Sequence, residues 1–86
     1  MVTRKVRILK ALSDETRFKI VSFLLNEKKS VSSIVEEVQK AQPTVSLHLR
    51  VLELSGVVEP EKDGRKTFYR VTNKQVQEIM KVLSNE

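Results

Sequence analysis

The apolar positions before Gly56 recur with a helical period. Val45, Leu49 and Leu52 follow one another at i, i+4 and i+7, which places one apolar stripe along a helix. Pro43 fits the first turn of this helix, where its missing N–H leaves no hydrogen bond unmade. Glycine is typical of the position just after a helix. The pattern therefore predicts a helix that begins near Pro43, ends at Gly56 and directs one face at a core.

Two amphipathic helices are predicted in the first part of the chain. The first spans about 3–12 and carries its apolar face on Val2, Val6 and Leu9. The second spans about 14–26, and Ser13 is its predicted N-cap, since a serine hydroxyl there accepts a backbone N–H.

A third, short helix is predicted between the second helix and the one that ends at Gly56. Ser30-Val31 precedes it in an extended conformation, Ser32 caps it, and its apolar positions are Ile34, Val35 and Val38. Only Gln39-Lys40-Ala41 joins it to the next helix. Two short helices joined by about three residues are typical of a helix-turn-helix.

The period changes after Gly56. Two runs of strand-forming residues, 57–62 and 66–71, flank Asp63-Gly64-Arg65, and an Asp-Gly pair in this position indicates a hairpin. Pro60 restricts its strand to a sheet edge or an unpaired position, because proline lacks the N–H that a ladder needs.

A last helix is predicted over about 73–84. Thr72 and Gln75 form a predicted capping box at its start. Its apolar positions repeat at i, i+3, i+4 and i+7 and are Val76, Ile79, Met80 and Leu83.

These elements predict a mainly α protein with a β-hairpin wing, in the order helix-helix-helix-helix-hairpin-helix. This is the winged helix-turn-helix fold, and 86 residues suffice for one such domain, 1–86, with a single core. The residues predicted to form that core are Phe18, Val21, Leu25, Ile34, Val38, Val45, Leu49, Leu52 and Phe68.

The face of the fourth helix opposite its apolar stripe predicts a nucleic-acid interface. Its side chains, those of Gln42, Thr44, Ser46 and Arg50, are of the kinds that hydrogen-bond to base edges or phosphates. The hairpin tip adds the basic residues Lys62, Arg65 and Lys66, which a wing would place on phosphates. A solvated turn with scattered charge is the alternative for this tip. The net charge of +5 favours a polyanionic partner.

The first and last helices carry apolar positions beyond those that the central core needs. Val6, Leu9, Ile79, Met80 and Leu83 are therefore predicted to form a homodimer interface, which would also supply paired recognition helices. The alternative is that both helices close the core of one chain.

Catalysis and metal binding have little support in the composition. The chain has no cysteine and one histidine, and neither of its two glycines belongs to a phosphate-binding loop. His48 is expected to be a packed, hydrogen-bonded residue, and no cofactor, metal or catalytic residue is predicted. No apolar run reaches the roughly 20 residues of a membrane span, and a cytoplasmic location is expected.

With these residues in view, the chain resembles the ArsR/SmtB family of winged-helix transcriptional repressors. The matching stretches are LKALSDETRFKIVSFL (9–24), SVSSIVEEVQKAQPTVSLHLRVLELSGVV (30–58) and DGRKTFYRVT (63–72). The resemblance implies a homodimer held by its first and last helices, bound to a pseudo-palindromic operator in double-stranded DNA. It also implies that Gln42, Thr44, Ser46 and Leu47 enter the major groove and that Arg65 reaches an adjacent groove.

The chain also departs from the family pattern. The third helix lacks the cysteine pair of many members. Where others carry Asp, His and Glu ligands, the last helix offers Asn73, Gln77 and Glu78 without a histidine, so the usual metal sites are not implied. Ala41 replaces a common capping serine, and Gln42 or the carbonyl region of Gln39 is expected to satisfy the helix start instead. Leu47 replaces a basic side chain and could contact a thymine methyl.

Two functions remain open from the sequence. The first is a sequence-specific, double-stranded DNA-binding transcriptional regulator, most simply a homodimeric repressor. The second is a winged-helix protein-interaction module without sequence-specific DNA binding. For a regulator, the signal is also open, between a non-metal effector and control by protein abundance alone.

Overall fold

The computed structural model describes residues 3–84 and confirms the predicted winged helix-turn-helix. Val2 and the outermost residues of the predicted domain 1–86 lie outside this range. No helix within 3–84 is long and apolar enough to cross a membrane. In order, the described elements are α1 (Arg4–Leu12), α2 (Glu15–Leu24), β1 (Lys29–Ser30), α3 (Val31–Val38), α4 (Gln42–Leu54), β2 (Val58–Asp63), β3 (Lys66–Val71) and α5 (Lys74–Leu83).

The sheet is antiparallel with the strand order β1-β3-β2. Lys29 of β1 is opposite Tyr69 of β3, and Pro60 of β2 is opposite the same residue. Pro60 therefore lies on an edge strand, as predicted, where its missing N–H breaks no ladder. The extended segment predicted at Ser30-Val31 is the short strand β1, which ends at Ser30.

One core joins all five described helices to the sheet. Most of the predicted core residues are buried in it, namely Val21, Ile34, Val38, Val45, Leu49 and Leu52. Phe18 and Leu25 are only partly buried and pack against the core from its side. The first and last helices also contribute, through Ile8, Ala11, Leu12, Val76 and Met80. The predicted core was therefore too small.

The prediction that Met80 lies at an intermolecular face is wrong. Its side chain is only 1% exposed and packs in the core of its own chain, whereas Ile79 is 36% exposed and Leu83 is 42% exposed. The apolar stripe of α5 is wider than one contact face. Its Val76–Met80 edge meets the core, and only the other edge remains accessible.

The prediction that Phe68 lies in the core is also wrong, and strand alternation gives the reason. Val71 and Val58 are opposite each other and buried, so Tyr69, two residues before Val71, shares their face and packs against the core. Phe68 lies on the opposite face, next to Glu61 of β2.

The helix starts differ from the predicted caps by one or two residues. The α2 cap is Asp14, whose Oδ2 accepts the N–H of Arg17 at 3.0 Å, while Ser13 ends α1 by donating its hydroxyl to the Lys10 carbonyl. The α3 cap is Ser30, where Ser32 was predicted. The α5 cap is Asn73, where Thr72 with Gln75 was predicted.

The Asp14 cap is also a charged group that stabilises the fold. The Arg17 N–H holds the pKa of the Asp14 carboxyl below its ordinary value, and the positive charge of Arg17 acts in the same direction. Because the folded-state pKa is lowered, the stabilisation is fully present above a pH of about 4 and is lost as pH falls through the folded-state pKa.

We expect Asp14→Ala to lower the free energy of unfolding by about 1 kcal/mol at neutral pH, because it removes an N-cap. Ser13→Ala is the matched control and should change it by less than about 0.5 kcal/mol, since Ser13 caps no helix start. Urea unfolding at pH 7 and pH 3 measures both variants, and the Asp14→Ala difference should shrink at pH 3. A larger loss for Ser13→Ala would contradict this assignment.

Candidate nucleic-acid interface

The turn of the helix-turn-helix depends on a left-handed residue. Gln39 follows α3 with φ 54° and ψ 45°, and its N–H donates to the Val35 carbonyl at 2.9 Å. This conformation stops α3 and redirects the chain toward α4 within three residues. Glycine is the common choice at such a position, so a sequence pattern does not reveal the conformation of a glutamine there.

Within residues 3–84, the helix α4 is uncapped by side chains at its start and is capped by backbone hydrogen bonds at its end. Among the described residues, no side chain caps its start at Ala41, so the expected compensation by the Gln42 side chain is absent. At the other end, Val57 N–H donates to the Leu52 carbonyl and Gly56 N–H donates to the Glu53 carbonyl. With Gly56 at φ 79°, this is a Schellman motif, and it turns the chain directly into β2.

The predicted DNA-contacting residues of α4 lie on its solvent side. Val45, Leu49 and Leu52 are at most 1% exposed, so burial of this stripe turns the opposite side of the helix outward. Leu47 is 70% exposed. The other predicted residues of this face, Gln42, Thr44, Ser46 and Arg50, are also exposed.

The hairpin has a two-residue tip. Asp63 pairs with Lys66, so Gly64 and Arg65 form the loop. Gly64 has φ 63°, which glycine adopts at little cost and which is the pattern of a type II′ turn. The predicted wing cations Lys62, Arg65 and Lys66 are all exposed around this tip.

A groove of about 420 Å³ runs between α4, the start of α3 and the hairpin. It brings together four of the predicted residues, two from the helix (Gln42 and Ser46) and two from the wing (Arg65 and Lys66). Thr44, Leu47, Arg50 and Lys62 are exposed but do not line it. Sequence reasoning missed the five other residues that line it, Ser30, Val31, Ser32, Thr67 and Tyr69.

Tyr69 forms part of the wall of this groove. Burial raises the pKa of its phenol above the ordinary value, and the negative charge of Glu53 acts in the same direction. The hydroxyl therefore stays protonated at physiological pH and can donate a hydrogen bond. The alternation of β3, with Val71 buried, is the signal that could have placed Tyr69 and Thr67 on this side.

The wing is held from its other face by Lys28. Its ammonium group forms an ion pair with Glu61 and lies 5.1 Å from the centre of the Phe68 ring. Glu61 and Phe68 are cross-strand neighbours, so one lysine contacts both strands of the hairpin. The loop between α2 and β1 therefore contacts the hairpin on the face that carries Glu61 and Phe68.

A separate apolar face lies on α1 and α5. The exposed fractions are 40% for Val6 and 55% for Leu9 on α1, and Ile79, Val82 and Leu83 on α5 are 36%, 70% and 42% exposed. A groove of about 390 Å³ between the two helices is lined by side chains that include Leu9, Ile79 and Glu78. Four of the five predicted interface residues, all except Met80, are thus accessible.

In the described part of the chain, no group of three or more His, Cys, Asp or Glu residues could hold a metal ion. The candidate interface instead consists of neutral polar side chains, cations and one exposed leucine.

The family follows from sequence comparison. The family model for bacterial regulatory proteins of the arsR family matches residues 14–59, which include α2, the helix-turn-helix and the start of the wing. The chain belongs to the arsR family. This regulator is 37% identical over 81 residues to an HTH-type transcriptional regulator from Methanocaldococcus jannaschii, and the match covers 93% of the chain and 91% of that protein. Other relatives are longer, and the chain spans 58%, 59% and 54% of three of them.

Solved structures agree with this assignment. The regulator matches the transcriptional repressor BigR from Xylella fastidiosa with a TM-score of 0.88 at 31% identity, covering 94% of the chain and 83% of BigR. It also matches a homodimeric winged helix-turn-helix DNA-binding domain from Mycobacterium bovis, with a TM-score of 0.86 at 25% identity, covering 94% of the chain and 75% of that domain. The winged-helix fold and the family of transcriptional regulators predicted from sequence are thereby confirmed.

Proposed function

We propose that this regulator is a non-catalytic, homodimeric repressor that reads a pseudo-palindromic operator in double-stranded DNA. The observation that carries the proposal is the groove in which Gln42 and Ser46 of α4 face Arg65 and Lys66 of the wing. Base-reading and phosphate-binding side chains are there arranged side by side on two elements held by one core.

Each part of the interface has a different role in the proposal. Gln42, Thr44, Ser46 and Leu47 enter the major groove, where the amides and hydroxyls contact base edges and Leu47 contacts a thymine methyl. Arg50 and the wing residues Lys62, Arg65 and Lys66 contact phosphates, with Arg65 at the tip reaching the adjacent groove.

The protein-interaction alternative uses the same face for a partner protein. A protein partner would not require a cluster of cations beside neutral hydrogen-bonding groups. Duplex DNA offers the partners for both, because its phosphates lie next to the base edges in each groove. Charge and residue type therefore favour DNA.

We expect Gln42→Ala and Ser46→Ala to relax base preference at a few operator positions while non-specific binding stays constant. Arg65→Ala and Lys66→Ala should instead weaken binding to all duplexes, and the slope of log affinity against log salt should fall by about 0.9 for each lost phosphate contact. Selection of an operator from random duplexes, followed by titrations at several salt concentrations, measures both effects. Lys81→Ala on α5 removes a charge outside the groove and is the matched control.

Two outcomes would contradict the DNA proposal. Absence of duplex binding at low salt would favour the protein-interaction module. Equal salt slopes for Arg65→Ala, Lys81→Ala and the wild type would place the wing away from DNA.

The homodimer is proposed to form through the exposed edge of α1 and α5. Leu9 and Ile79 line the groove between the two helices, and Val6 and Leu83 are exposed apolar side chains on the same helices. Apolar surface of this kind is stabilised when a two-fold partner covers it. The same symmetry places two recognition helices on half-sites about 10 base pairs apart, one helical turn of DNA.

We expect Leu9→Glu and Ile79→Glu to produce monomers, because each buries a carboxylate in the interface. Leu54→Glu is the control, since Leu54 is 71% exposed but lies on α4. Sedimentation equilibrium of the three variants gives the oligomeric state. A dimer that survives Leu9→Glu and Ile79→Glu would show that another surface associates.

Repression follows in the proposal from occupancy of the operator. We expect a reporter promoter that overlaps the selected operator to be silenced by the wild type and to be released by Arg65→Ala. A promoter with a scrambled operator is the control. Increased expression with the wild type would identify an activator instead.

A further inference from the structure

One arginine side chain joins three helices at the back of the recognition helix. Arg17 lies in the first turn of α2, and its Nε donates to the carbonyl of Ala11 near the end of α1 at 2.7 Å. One of its terminal nitrogens contacts Nδ1 of His48, in the middle of α4, at 3.3 Å. The backbone N–H of the same residue is held by Asp14.

The contact has one donor and one acceptor. A guanidinium group only donates hydrogen bonds, so Nδ1 of His48 accepts from Arg17. The charged groups set against this ring are Arg17 and Asp14, whose Oδ2 is 3.9 Å from the same Nδ1. The His48 side chain is 21% exposed, so this contact is partly shielded from water.

This position matters for the orientation of α4. The buried stripe of α4 is apolar, and apolar burial is non-directional, so it resists exposure more than it resists a small rotation of the helix. A hydrogen bond has a preferred distance and angle. His48 lies on the flank between the buried and exposed faces, so its bond to Arg17 opposes a rotation that would displace Ser46 and Arg50.

We propose that Arg17 is a positioning residue for operator recognition and that it acts through His48 Nδ1. This rests on the proposed function, in which α4 reads bases. Arg17 does not contact DNA in this proposal. It fixes the angle at which α4 presents its outer face, and it ties that angle to the end of α1.

The first test separates the hydrogen bond from the shape of the side chain. His48→Phe keeps a ring without an acceptor, whereas His48→Asn places an amide oxygen near the position of Nδ1. We expect the ratio of operator affinity to scrambled-duplex affinity to fall about tenfold in His48→Phe, the effect of a lost hydrogen bond to a charged group. The ratio in His48→Asn should stay within about twofold of the wild type.

The second test addresses Arg17 itself. Arg17→Gln and Arg17→Lys should both lower the affinity ratio, because neither side chain can serve Ala11 and His48 together. Lys19→Gln, an exposed position on α2, removes the same charge and is the matched control. Arg17→Gln combined with His48→Phe should be no worse than Arg17→Gln alone, because the contact that His48→Phe removes is already absent there.

Rescue by the amide supplies a readout that a purely structural role would not give. Recovery of the affinity ratio in His48→Asn, but not in His48→Phe, depends on an acceptor atom at the position of Nδ1 and not on the size of the side chain.

Stability is measured in parallel by thermal unfolding, and affinities are compared at a temperature where each variant is folded. The proposal is overturned if His48→Phe and Arg17→Lys lower stability but keep the wild-type affinity ratio, or if His48→Asn behaves like His48→Phe. A wild type that does not prefer its selected operator would overturn the DNA function, and this inference with it. A wild type with a clear preference that the variants share would overturn the inference alone.

Discussion

Burial of Val45, Leu49 and Leu52 on one side of α4 is the constraint on which the rest of the structure depends. Each of these side chains is at most 1% exposed, and fully burying one is worth about 1.5–3 kcal/mol. A large rotation of the helix would return this surface to water. Because a helix places residues at fixed angles, the same burial decides that Ser46 and Arg50 face outward. The packing of the core thus determines which residues of α4 face outward.

The elements could be predicted from the sequence more reliably than their ends. Near each helix start, two polar residues compete to cap it, and the outcome depends on backbone that a periodic pattern does not describe. Ser13 is used to close α1, so Asp14 becomes the cap of α2. Ser30 pairs with Phe68 in the sheet, and this fixes the start of α3 at Val31. That pairing joins distant parts of the chain, and local propensity contains no information about it.

The helical half of the candidate site was predictable, and the hairpin half was predictable only in part. The stripe of α4 already identifies its outward residues, and the Asp-Gly pair already locates the wing tip. The core assignment of Phe68 is wrong because the alternation from Val71 assigns the inner face to Tyr69 and Thr67. Met80 was misplaced because a wide apolar stripe does not indicate which of its edges meets the core of its own chain.

Helix α1 contributes to both parts of the proposed function, dimerisation and base reading. Its inner side packs in the core through Ile8, Ala11 and Leu12, while Leu9 on its outer side belongs to the proposed dimer face. Two recognition helices can bind two half-sites only at one separation, which is set both by the contact between protomers and by the angle between α1 and α4 within each protomer. Packing against a shared core limits that angle, and the Arg17 contacts with Ala11 and His48 add the directional element. In the proposed function, a change at the dimer face that shifts the end of α1 therefore also strains the Arg17–His48 contact, which couples the half-site spacing to base reading.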